Sequence, residues 1–284
     1  MNKIPDNTII QSIDLRVRDL KTSTEFYVYQ LGFKEIERTD NEIYISSDGK
    51  YPYMFKLTEE SNALVRIKGT AGLYHIAILF PDRKELARVF MRMFTNKIKF
   101  QGFSDHLVSE AIYLSDPDGN GIELYADRPR DTWVWKNDEV MMDSLPLDLS
   151  VITNELFDRE VWNGIHPDTK FGHIHLNVSD LRNTEEFYNE ILGFNISNYS
   201  YPGAKFFSAG GYHHHIAGNT WMTNKKLSRN EKSLGMTSFT IKVTNREYLS
   251  NLIEKISETG HFVKGTDKEL WIKDPDGNLL KILS

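Results

Sequence analysis

The sequence predicts an α+β fold in which one unit, a strand followed by a helix and three further strands, occurs four times. Residues 13–33 and 174–194 match closely, and both contain Leu-x-Val-x-Asp-Leu followed by Phe-Tyr-x-x-x-Leu-Gly-Phe. The turn sequence Asp-Pro-Asp-Gly-Asn also occurs twice, at residues 116–120 and 274–278. Because the same pattern of turns and apolar positions should build the same unit, the chain is predicted to be a duplicated fold.

The first unit shows each element of this pattern in order. Residues 9–17 carry apolar side chains in the alternation of a strand, and residues 20–31 carry them at helical spacing up to a Leu-Gly-Phe stop. Three short strands are predicted around residues 34–37, 42–46 and 53–57, where Asn, Asp and Gly separate them.

The second unit repeats the order. Residues 73–80 form an apolar strand segment, and residues 83–96 have the spacing of a helix. Later strands are predicted at 110–114 and 121–126, and the Asp-Pro-Asp-Gly-Asn-Gly between them is typical of a tight hairpin.

The third and fourth units begin at Phe171 and near Thr237. The segment between the second and third units is too long for a turn, and Ser150 to Arg159 is predicted to form a short helix in it. These boundaries divide the chain into a first region with units one and two, a connector, and a second region with units three and four, at 9–128, 129–169 and 170–284.

Composition narrows the class of protein. The chain has 284 residues with a net charge of −6, and its 34 Lys and Arg are scattered, which argues against a nucleic-acid binder. No apolar run approaches the ~18 residues needed to span a bilayer, and the N-terminal residues lack a signal-peptide pattern, so a cytoplasmic location is expected. Without cysteine, a metal site would have to use His, Asp or Glu.

These motifs resemble the vicinal oxygen chelate superfamily, which includes glyoxalases, bleomycin-resistance proteins and type I extradiol dioxygenases. Within it, HIAILFPDRKEL, YLSDPDGNGIELYADRPR, FGHIHLNVSDL and SAGGYHHHIAGNTW are similar to bacterial catechol 2,3-dioxygenases with four units. The resemblance implies two half-open mixed β-barrels with helices outside. It also implies that metal ligands project inward from the first and last strands of a unit.

The resemblance places metal ligands at His75, Glu123 and His173, which belong to units two and three. The corresponding positions of units one and four lack these donors, since they hold Ser12, Ser238 and Lys281. The three ligands can share one ion only if units two and three form one barrel, which leaves units one and four to form the other. Two imidazoles and one carboxylate suit Fe(II) with open coordination positions, and Mn(II) is compatible with the same set.

Each ligand also has a purely structural interpretation. A histidine in an apolar strand, such as His75, is more often a hydrogen-bonded core residue. Glu123 on an apolar strand must be paired or bound to a metal if it faces inward. His173 and His175 lie two apart and face the same side, so periodicity does not choose between them. The ligand position of the superfamily favours His173 as ligand and leaves His175 to bind substrate.

The segment from Tyr212 to His215 is predicted to lie on the last strand of unit three. The resemblance implies an acid–base histidine here, and the spacing to Ala217 points to His214. Strand alternation would put His213 and His215 on the opposite face. An incidental histidine run is the alternative.

Tyr113 precedes Glu123 by ten residues, which is the spacing of an active-site tyrosine in extradiol enzymes, although strand aromatics are often core residues. His106 is a further catalytic candidate. It stands seven residues before Tyr113, whereas the family pattern has nine.

The sequence therefore predicts an Fe(II)-dependent extradiol dioxygenase that adds both atoms of O2 to a catechol-type diol in aromatic hydrocarbon catabolism. The alternatives are a glyoxalase-type isomerase or lyase, and a metal-free protein that binds a hydrophobic ligand. The expected partners are the diol and O2, without nucleic acid or membrane, and exposed sheet edges favour a homodimer.

Overall fold

Two large curved β-sheets dominate the computed structural model, which describes residues 3–156, 162–224, 227, 229–257 and 259–284. Among these residues one sheet has eight strands and the other nine, so the predicted α+β class with half-barrel sheets is confirmed. The strands are β1 (Ile9–Val17), β2 (Lys34–Arg38), β3 (Glu42–Ser46), β4 (Phe55–Glu59), β5 (Gly72–Phe80), β6 (Phe100–Asp105), β7 (Ser109–Ser115), β8 (Gly121–Asp127), β9 (Trp135–Lys136), β10 (Glu139–Val140), β11 (Leu145–Pro146), β12 (Lys170–Asn177), β13 (Asn195–Asn198), β14 (Ala204–Ser208), β15 (Ile216–Asn219), β16 (Gly235–Lys242), β17 (Phe262–Gly265), β18 (Glu269–Lys273) and β19 (Leu279–Leu283).

The helices pack on the apolar face of each sheet. Their bounds are α1 (Leu20–Thr24), α2 (Arg83–Thr95), α3 (Leu149–Thr153), α4 (Leu181–Glu185) and α5 (Arg246–Ile256), with π-helical segments at Glu25–Gln30 and Glu186–Ile191 and a 3-10 turn at Arg130–Thr132. Leu86 and Phe90 of α2 are buried in the same apolar core as Ile76 and Ile122 of the sheet. On each strand, the residues directly before and after these isoleucines point to the opposite face of the sheet. Polar side chains lie on that face.

First strands of two units meet at the centre of each sheet. The nine-stranded sheet has the order β11-β6-β7-β8-β5-β12-β15-β14-β13, and the eight-stranded sheet has β17-β18-β19-β16-β1-β4-β3-β2. β5 pairs with β12 and β1 pairs with β16, both antiparallel. Strands of units two and three therefore share one sheet, and strands of units one and four share the other. The exact division at 9–128, 129–169 and 170–284 stays a prediction.

The repeated Asp-Leu and Leu-Gly-Phe motifs build the ends of the helices. Asp19 and Asp180 are N-caps whose carboxylates accept hydrogen bonds from backbone N–H groups of the first turn. Gly32 and Gly193 end the π-helical segments with φ of 91° and 76°, a region where a side chain would be strained.

The connector differs in detail from the expectation. Its helix α3 ends at Thr153, and residues 157–159 of the predicted helix lie outside the described residues. Before α3, β11 extends the nine-stranded sheet by pairing with β6. Part of the connector therefore forms an edge strand of that sheet. No helix in the described ranges is long and apolar enough to cross a membrane.

Candidate metal centre

The nine-stranded sheet curves around a cavity of about 230 Å³. Its polar wall comes from β5, β8 and β12, which are neighbours at the centre of the sheet. The cavity is lined by Tyr74, His75, Ser104, His106, Val108, Ser109, Tyr113, Glu123, Met142, Asp143, Ser144, His173, His175, Tyr201, Phe206, His214 and Trp221. All seven residues singled out by the sequence line this one cavity.

His75, Glu123 and His173 meet at the bottom of the cavity. Nε2 of His75 lies 2.9 Å from Oε2 of Glu123, and Nε2 of His173 lies 3.4 Å from the same oxygen. The two Nε2 atoms are 3.3 Å apart. Three donors about 2.1 Å from one ion and at right angles to one another would be separated by about 3 Å. The spacing therefore fits one face of a metal coordination sphere, and this group can hold a metal ion.

The charges of the group also suit a cation. Burial would raise the pKa of Glu123, but the nearby His173 and His75 rings outweigh it and hold that pKa well below its usual range. Burial lowers the pKa of His173 to about 4, with Glu123 opposing the shift. At neutral pH the site thus presents an ionised carboxylate and a neutral His173 imidazole, the forms that bind metals.

A second group of possible donors is formed by His173, His213 and His214, but it is the poorer metal site. It contains no carboxylate. In addition, the Nδ1 atoms of His213 and His214 lie 2.7 Å apart and are engaged with each other. A cation there would have to break that hydrogen bond, so the group that contains Glu123 is the better candidate for a metal site.

His175 lies beside the metal centre on β12. Its ring centroid is 4.8 Å from that of His75, and its Nε2 is buried without a hydrogen-bond partner. Burial, with the neighbouring His75 and His173, lowers the pKa of His175 well below its usual range. A neutral imidazole with an unsatisfied nitrogen on the cavity wall is suited to bind a polar atom of a ligand.

His106 and Tyr113 form a hydrogen-bonded pair across the cavity. Nε2 of His106 lies 2.6 Å from the Tyr113 hydroxyl, and Nδ1 of His106 lies 2.7 Å from the Asp143 carbonyl oxygen. Burial and the Glu123 charge raise the pKa of Tyr113 well above its usual value, so its hydroxyl stays protonated. The seven-residue spacing is accommodated because His106 sits in the loop of the β6–β7 hairpin, where its ring can turn toward Tyr113.

The histidine run does not lie on a strand, and that prediction is wrong. β15 begins at Ile216, and Tyr212 to His215 form the loop before it. The alternation argument therefore fails, since two neighbouring rings, His213 and His214, hydrogen-bond to each other. Of the three histidines only His214 lines the cavity, as far as the described residues show. Its ring centroid is 4.0 Å from that of His173.

The sequence prediction did not include the aromatic wall of the cavity or the contact that Asp127 makes. Tyr74 lies on β5, whereas Tyr201, Phe206 and Trp221 lie on or next to β14 and β15, so no single motif joins the four. Asp127 follows Glu123 by four residues on β8 and binds His213. The sequence does indicate that Asp127 shares a face with Glu123. Residues 123, 125 and 127 carry polar groups at every second position of a strand, and such positions lie on one face.

Comparison with known proteins gives the family. The pattern of the Glyoxalase/Bleomycin resistance protein/Dioxygenase superfamily matches residues 9–124 and 170–282. The chain belongs to this superfamily. A relative within it is the catechol-2,3-dioxygenase of Bacillus subtilis (strain 168), which is 38% identical over 97% of this chain and 96% of the relative. Biphenyl-2,3-diol 1,2-dioxygenase 3 of Rhodococcus globerulus is 25% identical over 40% of this chain and 60% of its own length.

Solved structures of other proteins share the fold of this chain. Glyoxalase I from Zea mays has a TM-score of 0.60 at 14% identity and covers 98% of this chain and 92% of its own. The cppA protein from Streptococcus pneumoniae TIGR4 has a TM-score of 0.62 at 12% identity, with all of both chains covered. At such identities the likeness shows architecture alone.

Proposed function

We propose that this protein is an Fe(II)-dependent extradiol dioxygenase that opens the ring of catechol-type diols with O2. The observation that carries the proposal is the group of two imidazoles and one carboxylate, with donor atoms 2.9 to 3.4 Å apart at the bottom of a cavity. Such a set on one face of an ion leaves positions for further ligands and is typical of Fe(II) oxygenases. The 38% identity to a catechol-2,3-dioxygenase supports the same reaction.

A bound Fe(II) would supply a Lewis acid for the diol oxygens and a path for electrons from the diol to O2. The protein supplies the ligands His75, Glu123 and His173, and it buries Glu123 and His173 almost completely. Mn(II) is compatible with the same ligands, so the identity of the metal belongs to the proposal.

The proton transfers are assigned to His214. It lines the cavity beside His173, and burial lowers its pKa well below the usual value, so the ring is neutral and can accept a proton. In the proposal it removes a proton from one diol hydroxyl and later returns a proton when the O–O bond breaks.

Tyr113, His106 and His175 are proposed to hold the substrates. The Tyr113 hydroxyl and the His106 ring already hydrogen-bond to each other, so a substrate oxygen near them would join an existing pair. The free Nε2 of His175 is available for a second polar contact. Aromatic side chains complete the wall, which favours a flat ring.

Anaerobic reconstitution with Fe(II), followed by oxygen-electrode measurements with a small panel of catechols, tests the function. The expected result is O2 uptake together with a yellow ring-opened product. No product from any catechol while iron is fully bound would contradict the proposal. Thiol-dependent turnover of methylglyoxal without O2 uptake would instead indicate a glyoxalase. Less than about a tenth of an ion per chain, not restored by Fe(II), would indicate a metal-free binding protein.

Variants test the metal ligands separately from the reaction. His75→Ala and Glu123→Ala should each abolish iron retention and turnover, because two remaining donors hold a divalent ion weakly. His214→Ala should lose turnover and keep iron. Ser12→Ala is the matched control, because Ser12 lies in the other sheet at the position that corresponds to a ligand. This variant should retain both iron and turnover. Normal iron retention in His75→Ala would remove that residue from the ligand set.

A further inference from the structure

Hydrogen bonds run from His214 away from the cavity, through His213, to Asp127. His213 Nδ1 lies 2.7 Å from His214 Nδ1, and His213 Nε2 lies 3.0 Å from Asp127 Oδ1. We propose that Asp127 is a positioning residue that acts through His213 to fix the orientation of the His214 ring and the nitrogen that carries its hydrogen. This inference rests on the proposed function, in which His214 exchanges a proton with the diol.

The hydrogen positions follow from the contacts. A carboxylate only accepts hydrogen bonds, so the contact with Asp127 requires a hydrogen on Nε2 of His213. In a neutral ring the other nitrogen, Nδ1, is then an acceptor, and it must accept from Nδ1–H of His214. Nε2 of His214 is left without a hydrogen. It is also the nitrogen available to the cavity, and a base that takes a hydroxyl proton needs a free lone pair there.

The surroundings of His213 hold its ring in place. Its side chain is 1% exposed. The ring lies 4.0 Å from that of Tyr212 and 5.3 Å from that of Trp133, measured between centroids. Its backbone carbonyl accepts a hydrogen bond from the Ser197 hydroxyl. A rotation that would exchange the two nitrogens therefore has no room, and the orientation imposed by Asp127 is transmitted to His214.

Asp127 does not line the cavity that contains His214, so it can influence the reaction only through another residue. It ends β8, on the same face as Glu123 and two residues beyond Tyr125. It lines a second cavity of about 490 Å³ that His214 does not line. Its side chain is 21% exposed there, so the carboxylate keeps contact with water. The Tyr212 hydroxyl also donates to Asp127 Oδ1, at 3.3 Å.

Long-range ¹⁵N–¹H NMR spectra of the full chain labelled with ¹⁵N-histidine, recorded without added metal, test the hydrogen positions directly. The expected spectrum shows His213 with its hydrogen on Nε2 and His214 with its hydrogen on Nδ1, assigned by the signals lost in His213→Phe and His214→Gln. In Asp127→Leu the side chain can neither accept a hydrogen bond from Nε2 of His213 nor donate one to it. The hydrogen of His213 is then no longer held on Nε2, and the signals of His213 and His214 should shift toward a mixture of the two hydrogen positions.

Steady-state kinetics of the Fe(II)-loaded protein test the consequence. Asp127→Leu, which removes the acceptor for His213, should lower kcat about 10- to 100-fold, part of the effect of a general base, while KM and iron retention stay near wild type. Tyr212→Phe is the matched control, because it removes the other hydrogen bond to the same oxygen and leaves the Asp127–His213 contact. It should keep kcat within about twofold and leave both histidine spectra unchanged.

Three results would overturn the inference. These are a wild-type His214 with its hydrogen on Nε2, a His213 ring protonated on both nitrogens, and an unchanged His214 spectrum in Asp127→Leu. An equal loss of kcat in Asp127→Leu and Tyr212→Phe would also overturn it, since the effect would then be one of packing. If the wild-type protein cleaves no catechol, the proposed function fails, and the NMR spectra still decide the hydrogen positions.

Discussion

Several residues that line this cavity are histidines, and their hydrogen bonds distinguish them from one another. Of the histidines in the described residues, His75 and His173 turn Nε2 toward Glu123, whereas His106 turns Nε2 toward a tyrosine. His175 keeps a nitrogen without a partner. Because a buried polar atom without a partner is costly, this vacant contact indicates a place for a ligand.

Tyr113→Phe measures what one hydroxyl contributes. The ring remains, but the contact with His106 Nε2 at 2.6 Å is lost. One hydrogen bond to the reacting molecule is worth about 1.5 kcal/mol, so kcat/KM should fall about tenfold. Iron retention should not change, because Tyr113 holds no ligand position.

Tyr44→Phe is the control for this change. Tyr44 donates its hydroxyl to Glu42 at 2.9 Å in the other sheet, so its removal costs a similar hydrogen bond far from the cavity. We expect kcat/KM near wild type in this variant. Equal losses in the two variants, measured by initial rates over a range of catechol concentrations, would argue against a role for Tyr113 in the reaction.

At the scale of elements, the strands were predictable and the loops were not. His75, Glu123 and His173 lie on strands of repeated units, so the resemblance to the superfamily could single them out as ligand candidates by their place in the repeat. The run from Tyr212 to His215 lies in a loop, where side chains follow no period and only the three-dimensional contacts separate His214 from its neighbours. The aromatic wall was out of reach for another reason. Tyr74 and Phe206 do lie on strands, but tertiary packing alone brings the members of the wall together.

Strand β12 contains a glycine whose absent side chain is required. A Cβ on Gly172 would lie 1.5 Å from the hydroxyl oxygen of Tyr125, which is buried and 2.8 Å from the Tyr212 hydroxyl. Gly172→Ala should therefore displace Tyr125, whose ring packs 5.2 Å from that of His173. We expect the free energy of unfolding to fall by about 1 to 3 kcal/mol and iron affinity to fall with it.

Gly102→Ala in β6 of the same sheet is the control, because a Cβ there meets nothing within 4 Å. Its free energy of unfolding should stay within about 0.5 kcal/mol of wild type. Urea denaturation of both variants gives the comparison. A stable Gly172→Ala protein with normal iron affinity would mean that Tyr125 can move without cost.

For the whole molecule, the duplication has produced two sheets with different tasks. The positions that hold ligands in one sheet hold Ser12, Ser238 and Lys281 in the other, where Lys281 pairs with Glu269. What the halves still share are the Asp-Pro-Asp-Gly-Asn turns. Tyr27 of the eight-stranded half binds Asp116 of the other half at 2.9 Å, and Tyr188 binds Asp274 in the reverse sense at 3.1 Å. Two equivalent buried contacts thus tie the sheets together.

These two carboxyls should make the joint between the sheets sensitive to pH. Burial raises the pKa of Asp116 and of Asp274 to about 6 each, from an ordinary value of 3.8. A raised pKa means that the folded protein binds the proton more tightly than the unfolded chain does. The resulting stabilisation is complete below pH 3.8 and is lost as the pH rises through about 6.

Asp116→Asn tests this linkage. At every pH the variant loses part of the hydrogen bonds of the carboxyl, because it has one acceptor oxygen where two are used. Backbone N–H groups donate to Oδ1, Tyr27 and Asn120 donate to Oδ2, and an NH2 group in either place cannot accept. The variant also has no proton to gain, so wild type should gain about 1 kcal/mol over the variant when the pH falls from 7.5 to 5. Asp274→Asn should behave alike. Urea denaturation at the two pH values decides the matter, since a difference between wild type and Asp116→Asn that shrinks in acid would show that this carboxyl is not protonated more readily in the folded protein.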